Sequence, residues 1–79
     1  MDPELAVAYH FRGLLYHDLG EFQEAIRDFD HAISLDPERA DAYLSLAKTY
    51  VELGQNERAI QDLDRAVALN PQLSEAFSL

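Results

Sequence analysis

Apolar side chains recur at steps of three and four residues through most of the chain, which is the spacing of one face of an α-helix. This period predicts four helices over residues 4–19, 22–35, 38–53 and 57–69, and the start of a fifth helix from residue 72. Gly20 and Gly54 follow the first and third stretches, where a glycine commonly ends a helix. The pattern therefore predicts an all-α fold built from short helices.

The second stretch shows the clearest separation of apolar and polar positions. Its apolar side chains form one stripe, made of Phe22, Ala25, Ile26, Phe29, Ala32 and Ile33. Its polar side chains fall outside that stripe and are expected to face water: Asp28, Asp30, His31 and Ser34. Across the whole chain, the residues predicted to be largely buried are Tyr16, Ala25, Phe29, Ala32, Tyr43, Leu46, Tyr50 and Leu63.

The chain repeats itself at a period of 34 residues, which is set by prolines at positions 3, 37 and 71. At the middle joint, Asp36 is expected to cap backbone N–H groups and Pro37 to occupy the first turn of the next helix. Shifting one repeat onto the other matches Ala6 with Ala40, Tyr9 with Tyr43, Tyr16 with Tyr50, Ala25 with Ala59 and Ala32 with Ala66. We predict one domain over residues 1–79, with repeats at about 6–39 and 40–73 and a partial third repeat at 74–79.

These positions form a recognisable motif, which in the second repeat reads Tyr43, Leu46, Ala47, Tyr50, Ala59, Leu63, Ala66 and Pro71. The motif and its period resemble those of the tetratricopeptide repeat (TPR) family. The resemblance implies antiparallel helix-turn-helix repeats, stacked as a short right-handed α-solenoid. It also implies a non-catalytic protein-interaction module, here expected to be part of a longer TPR array.

Two residues depart from the family pattern. Arg12 stands where the second repeat has Leu46, so its guanidinium is expected either to reach water or to pair with a carboxylate such as Asp28. Asn56 stands where the first repeat has Phe22, which predicts looser packing at the turn before the fourth helix.

Composition narrows the possible functions. The net charge of −9 disfavours nucleic-acid binding, which relies on clustered lysine and arginine. The chain has no cysteine, no glycine-rich phosphate loop and no apolar run long enough to cross a membrane. We expect neither a cofactor nor enzymatic activity. The sequence does not define the localisation, for which the cytoplasm is the default. His10 and His17 would lie ~10 Å apart along one helix, too far to share a metal ion within one chain.

The resemblance places the partner-binding groove on the first helix of each repeat, opposite its core face. The residues so nominated are Val7, His10, Leu14, His17, Asp18, Asp41, Leu44, Lys48, Val51 and Glu52. Apolar contacts around Leu14, Leu44 and Val51, beside acidic side chains, favour a protein or peptide partner that is basic and apolar.

Some TPR proteins bind acidic chaperone tails through a clamp of lysine, asparagine and arginine side chains. The corresponding positions here are His10, Leu14, Ser45, Glu75 and Leu79, and none carries a clamp residue. We therefore expect no chaperone-tail binding of that type.

The alternative hypothesis is a structural or model repeat module that self-associates through its exposed ends. A repeat cannot bury its apolar stripe alone, so the last helix is expected to seek a neighbouring copy. The residues predicted at that self-association end are Leu63, Val67, Leu73 and Phe77.

Overall fold

The computed structural model describes residues 3–72, which form four α-helices and no strand. The helices are α1 (Pro3–Asp18), α2 (Phe22–Leu35), α3 (Ala40–Glu52) and α4 (Asn56–Leu69). Helices α1 and α2 form one antiparallel pair, α3 and α4 form a second, and α2 packs on α3 to join the pairs. The predicted all-α fold is confirmed. The predicted fifth helix lies, beyond Gln72, outside the described residues.

The turns inside the two pairs have the same structure. Gly20 and Gly54 adopt φ values of 81° and 78°, which favour glycine because a Cβ atom would be strained there. The N–H of Glu21 donates to the carbonyl of Tyr16 at 2.9 Å, and that of Gln55 donates to the carbonyl of Tyr50 at 2.8 Å. In both turns, the N–H of the residue after the glycine donates to a carbonyl in the last turn of the preceding helix, which is a common way for a helix to end.

The joint between the repeats differs from its prediction. Helix α3 begins at Ala40, so Pro37 lies in a turn before the helix and not in its first turn. The carboxylate of Asp36 accepts the N–H of Glu38 at 3.4 Å, and the N–H of Arg39 donates to the carbonyl of Asp36 at 3.2 Å. Asp36 therefore stabilises a turn centred on Pro37, which suits the fixed φ of proline.

The core lies where α1, α2 and α3 meet. Ala25, Phe29, Ala32 and Leu46 are buried as predicted. The other four residues predicted to be largely buried are covered less completely, and each keeps part of its surface exposed: Tyr16, Tyr43, Tyr50 and Leu63. Phe29 is enclosed by neighbours from both repeats, whereas its counterpart Leu63 belongs to the last described helix.

Asp28 was expected to face water, and that prediction was wrong. Its side chain is only 4% exposed, and both carboxylate oxygens accept hydrogen bonds from Arg12, at 2.8 and 2.9 Å. The Arg12 side chain is 58% exposed, so it pairs with Asp28 and also reaches water. A buried carboxylate is costly unless it is paired, and the two-fold hydrogen bond supplies that pairing.

Asn56 is exposed, whereas its counterpart Phe22 is half-buried. The rings of Phe22 and His17 meet edge to face, with 5.3 Å between their centroids. The turn before α4 is therefore less well packed than the turn before α2, as predicted.

Candidate functional site

The residues nominated for the groove lie on α1 and α3, one helix from each repeat. They differ in exposure. Val7, Leu14, His17 and Leu44 are half-buried, while the exposed members are Asp18, Asp41, Lys48, Val51 and Glu52. Leu14 also packs against the core formed by Ala25, Phe29 and Leu46.

His10 has a different environment from the other nominated residues because it is buried between the repeats. Its Nε2 lies 2.9 Å from the hydroxyl oxygen of Ser45, and its Nδ1 lies 3.7 Å from a carboxylate oxygen of Asp41. The ring also contacts Phe29 edge-on, with 5.6 Å between centroids. His10 therefore connects α1 to α3 at the base of the groove.

Burial lowers the pKa of His10 below its ordinary value of 6.5. Asp41 opposes this shift, and Arg39 adds to it. Arg39 also donates from Nη2 to Asp41 at 2.9 Å, so the Asp41 carboxylate lies beside both His10 and Arg39. In the neutral ring, an Nδ1 proton facing Asp41 leaves Nε2 to accept the hydroxyl proton of Ser45.

Ser45, His10 and Asp41 stand in the order of a nucleophile, a base and a supporting carboxylate. Ser45, however, lies in the middle of α3, where the neighbouring backbone N–H groups are used in the helix. They cannot stabilise the oxyanion that forms during acyl transfer. The cluster is therefore best described as a polar joint between the repeats.

Sequence reasoning missed Ser45 as the partner of His10. The available signal was the difference between the repeats at this position, where the second repeat has Ser45 and the first has Phe11. A polar side chain at a position that faces the preceding repeat needs a hydrogen-bond partner there.

A second region with polar side chains, also missed from sequence, is an open cleft of about 450 Å³ lined by residues of α2, α3 and α4. Burial raises the pKa of Asp30 and that of Asp62, and the charge of Asp30 raises the pKa of Asp62 further. Arg58 lines the same cleft, lowers the pKa of Asp62 and lies over the Tyr50 ring, 5.7 Å from its centroid.

Within residues 3–72, no group of three histidine or acidic side chains is arranged to hold a metal ion. In the same part of the chain, no helix has the length and apolarity needed to span a membrane.

Comparison with solved structures returns helical repeat proteins. The first TPR of Spaghetti (RPAP3), bound to the HSP90 peptide SRMEEVD, is 28% identical, with a TM-score of 0.92 over 99% of this chain and 63% of that one. Two structures of MamA are also 28% identical, with TM-scores of 0.81 and 0.79. Each aligns with 89% of this chain, which covers 41% and 38% of the MamA chains. The chain thus spans less than two thirds of each of these proteins.

No curated protein matches the sequence. The family model described as "Tetratricopeptide repeat" matches residues 16–79, which is most of the chain. With the repeat spacing and the two helix pairs, this match shows that the chain belongs to the tetratricopeptide repeat family.

Proposed function

We propose that the groove formed by α1 and α3 binds a peptide segment of a partner protein, without catalysis. The observation that carries this proposal is the exposed apolar side chain of Val51, which lies on the same helix as the exposed carboxylates of Asp41 and Glu52. Half-buried Leu14 and Leu44 extend the apolar surface. TPR proteins are generally binding modules, and the Spaghetti (RPAP3) domain is bound to a peptide.

The charges of the groove favour a basic peptide. Asp18, Asp41 and Glu52 are exposed there, and Lys48 is the one lysine in the chain. Arg39 is already paired with Asp41. A ligand with lysine or arginine beside leucine would place cations near the carboxylates and bury apolar surface on Val51.

This preference is opposite to that of the Spaghetti (RPAP3) domain, whose peptide SRMEEVD carries two glutamates and an aspartate. At the clamp positions of this chain, the His10 side chain is buried with a lowered pKa, and Leu14 has no polar group. Neither residue supplies a cation for a carboxylate near neutral pH.

Fluorescence anisotropy with labelled peptides tests the proposal. A short peptide of alternating lysine and leucine should bind saturably and lose affinity as salt is raised. Under the same conditions, SRMEEVD should show no saturable binding. Tight binding of SRMEEVD that is lost in Lys48→Ala would contradict the proposed preference.

Two charge-reversal variants locate the binding surface. Glu52→Lys should weaken binding of the basic peptide, because it replaces an attractive charge in the groove. Glu57→Lys makes the same change in the first turn of α4, outside the groove, and should leave the affinity unchanged. Equal effects of the two variants would point to net charge alone and not to the groove.

Self-association through the repeat ends is the second candidate function. It is supported by Leu63 and Val67, which remain half-buried on α4, the last described helix. The other two residues predicted for this end, Leu73 and Phe77, lie outside the described residues. Light scattering over a range of concentrations separates this candidate from a purely peptide-binding monomer.

A further inference from the structure

Helix α1 carries an exposed apolar stripe that the peptide groove does not use. The stripe consists of Leu5, Ala8, Phe11, Leu15 and Leu19, and is called the α1 stripe below. Phe11 is 62% exposed and Leu15 is 63% exposed. Leu5, Ala8, Phe11 and Leu15 lie on one face of α1, and Leu19 follows directly after the helix. Together they form an exposed apolar surface of the kind that marks an interaction site.

The second repeat shows what covers the corresponding surface. A shift of 34 residues places Leu15 on Thr49 and Ala8 on Ala42, both of which are completely buried. These residues lie on α3, which packs against α2 of the preceding repeat. The internal junction between α2 and α3 is therefore a template for what fits the α1 stripe.

The opposite end of the molecule has the complementary surface. Ile60, Leu63 and Val67 of α4, called the α4 end below, correspond to Ile26, Phe29 and Ile33 of α2. Phe29 is buried, and the two isoleucines pack around Leu46 and its neighbours at the internal junction. In the α4 end, Ile60 is 58% exposed.

The two repeats differ at two pairs of positions in the junction. In each pair, the replacement residues complement each other when the α4 end of one copy is placed on the α1 stripe of another. At the internal junction, the polar pair His10 and Ser45 is joined by a hydrogen bond. The equivalent positions at the ends are Leu44 and Phe11, which are both apolar. One polar pair is thus replaced by one apolar pair.

The second match concerns charge. Asp30 and Leu46 line the same cleft at the internal junction. Their equivalents at the ends are Asp64, an exposed carboxylate, and Arg12, whose guanidinium pairs with Asp28 through Nε and Nη2 and whose side chain remains 58% exposed and open to a second acid. An arginine at an otherwise apolar contact is favourable when the other side supplies an acid.

From these matches we infer that the α1 stripe is a docking surface for the α4 end of a second copy of this chain, an inference that rests on the proposed self-association and assigns its contact. The contact repeats the register of the α2–α3 junction, so it is head-to-tail. A docked pair still presents one α1 stripe and one α4 end, and further copies can therefore be added. Two α1 stripes facing each other would instead place Arg12 opposite a second Arg12, so that neither guanidinium would gain a carboxylate from the other copy.

Complementary variants test this directly. Leu15→Asp places a charge in the α1 stripe and should prevent docking there, while the α4 end is unchanged. Ile60→Asp does the same to the α4 end and leaves the stripe unchanged. The unaltered chain should show a mass above 9.0 kDa that rises with concentration in sedimentation equilibrium. Each variant alone should remain a monomer, while an equimolar mixture should form a heterodimer that grows no further.

Both altered side chains are exposed, so circular dichroism should show that the variants fold like the unaltered chain. Gln55→Glu is the matched control. It adds the same charge at a position where the first repeat has Glu21, which stays exposed beside the next repeat. This control should associate as the unaltered chain does.

Three results would overturn the inference: an unaltered chain that is monomeric up to millimolar concentration, an Ile60→Asp variant that dimerises alone, or a mixture that stays monomeric. Peptide binding provides a separate readout. Leu15→Asp and Ile60→Asp lie outside the groove and should keep the affinity for the basic peptide, so the two proposals can fail independently.

Discussion

At the scale of single residues, the pair of Arg12 and Asp28 shows how a charge is tolerated beside the core. Asp28 is buried, and its carboxylate accepts two hydrogen bonds from a guanidinium that remains in contact with water. The pairing raises the pKa of Arg12 further above its already high ordinary value. The second repeat has Leu46 and half-buried Asp62 at the equivalent positions, without such a pair.

We predict that Arg12→Leu destabilises the fold, although it introduces the residue found in the second repeat. The reason is that Asp28 would keep its buried charge and lose both donors. Urea unfolding should show a lower midpoint for Arg12→Leu and a partial recovery for Arg12→Leu with Asp28→Asn. A single variant as stable as the unaltered chain would show that Asp28 does not need this partner.

His10 should make stability depend on pH. Because burial lowers its pKa in the folded state below the ordinary 6.5, the unfolded chain binds more protons in the interval between the two values. The free energy of unfolding should therefore fall as pH decreases below about 7, through the interval between the two pKa values.

The comparison variant for this prediction is His10→Asn, which cannot gain a charge. Asp30 and Asp62 have raised pKa values, so their protonation acts in the opposite direction as pH falls towards 3.8. The difference between the unaltered chain and His10→Asn isolates the histidine. A difference that does not change with pH would contradict a buried, neutral His10.

Some of these residue-scale features could be predicted from sequence and others could not. The period indicated that Arg12 stands where the second repeat has an apolar Leu46. Asp28 could be predicted as its partner, because both residues lie in the first helix pair. The burial of His10 could not be predicted, because it depends on how far α1 approaches α3. A helical wheel assigns a residue to a face, but it does not say how closely the next repeat covers that face.

At the scale of helices, Gly13 of α1 lies directly against the ring of Phe29 on α2. A Cβ atom at Gly13 would lie 2.6 Å from Cε1 and 2.8 Å from Cδ1 of the Phe29 ring, and Phe29 is completely buried. The second repeat has Ala47 and Leu63 at the equivalent positions. A larger residue on one helix is thus matched by a smaller residue on the other.

We predict that Gly13→Ala destabilises the protein despite the better helix propensity of alanine. Overpacking costs about 1–3 kcal/mol and the propensity gain is about 1 kcal/mol, so a net loss of up to about 2 kcal/mol is expected. Adding Phe29→Leu should recover stability, because it recreates the pair of the second repeat.

A double-mutant cycle by urea unfolding measures this effect. The two substitutions should be coupled by at least about 0.5 kcal/mol, since the residues are in contact. Simple additivity would mean that the Gly13 position does not limit the approach of the helices.

The positions of the helices were largely predictable, because the apolar period and the two glycines are local signals. The start of α3 was misplaced because proline suits both a turn and a first helical turn, and the choice depends on the hydrogen bonds of Asp36. The partial exposure of Tyr16, Tyr43 and Tyr50 was also not predictable from spacing. Aromatic positions on the core face of a helix can still leave one edge of the ring in water.

At the scale of the whole molecule, two repeats leave two kinds of surface that differ in chemistry. The groove on α1 and α3 is acidic with limited apolar area, while the α1 stripe and the α4 end are more apolar. The groove and the proposed contact between copies share Leu44 and otherwise differ, which supports a division of roles in which the groove takes a peptide and the ends join copies. Repeat proteins obtain most of their stability from such nearest-neighbour contacts.

The family and fold could be predicted from sequence at this scale, because the period of 34 residues extends through the chain. The α1 stripe was not recognised. Its residues look like ordinary members of an amphipathic helix until the structure shows that no described helix covers them.

The most direct test of the central claim is a two-dimensional ¹H–¹⁵N NMR titration of the dilute, monomeric chain with the lysine-leucine peptide. The largest shift changes are expected at the amides of Leu14, Leu44 and Val51 and their neighbours, with little change at Ile60 and Val67 on α4. Saturation of these changes would yield the affinity in the same experiment. Changes centred on Ile60 and Val67, or spread evenly over the acidic surface, would contradict a peptide groove formed by α1 and α3.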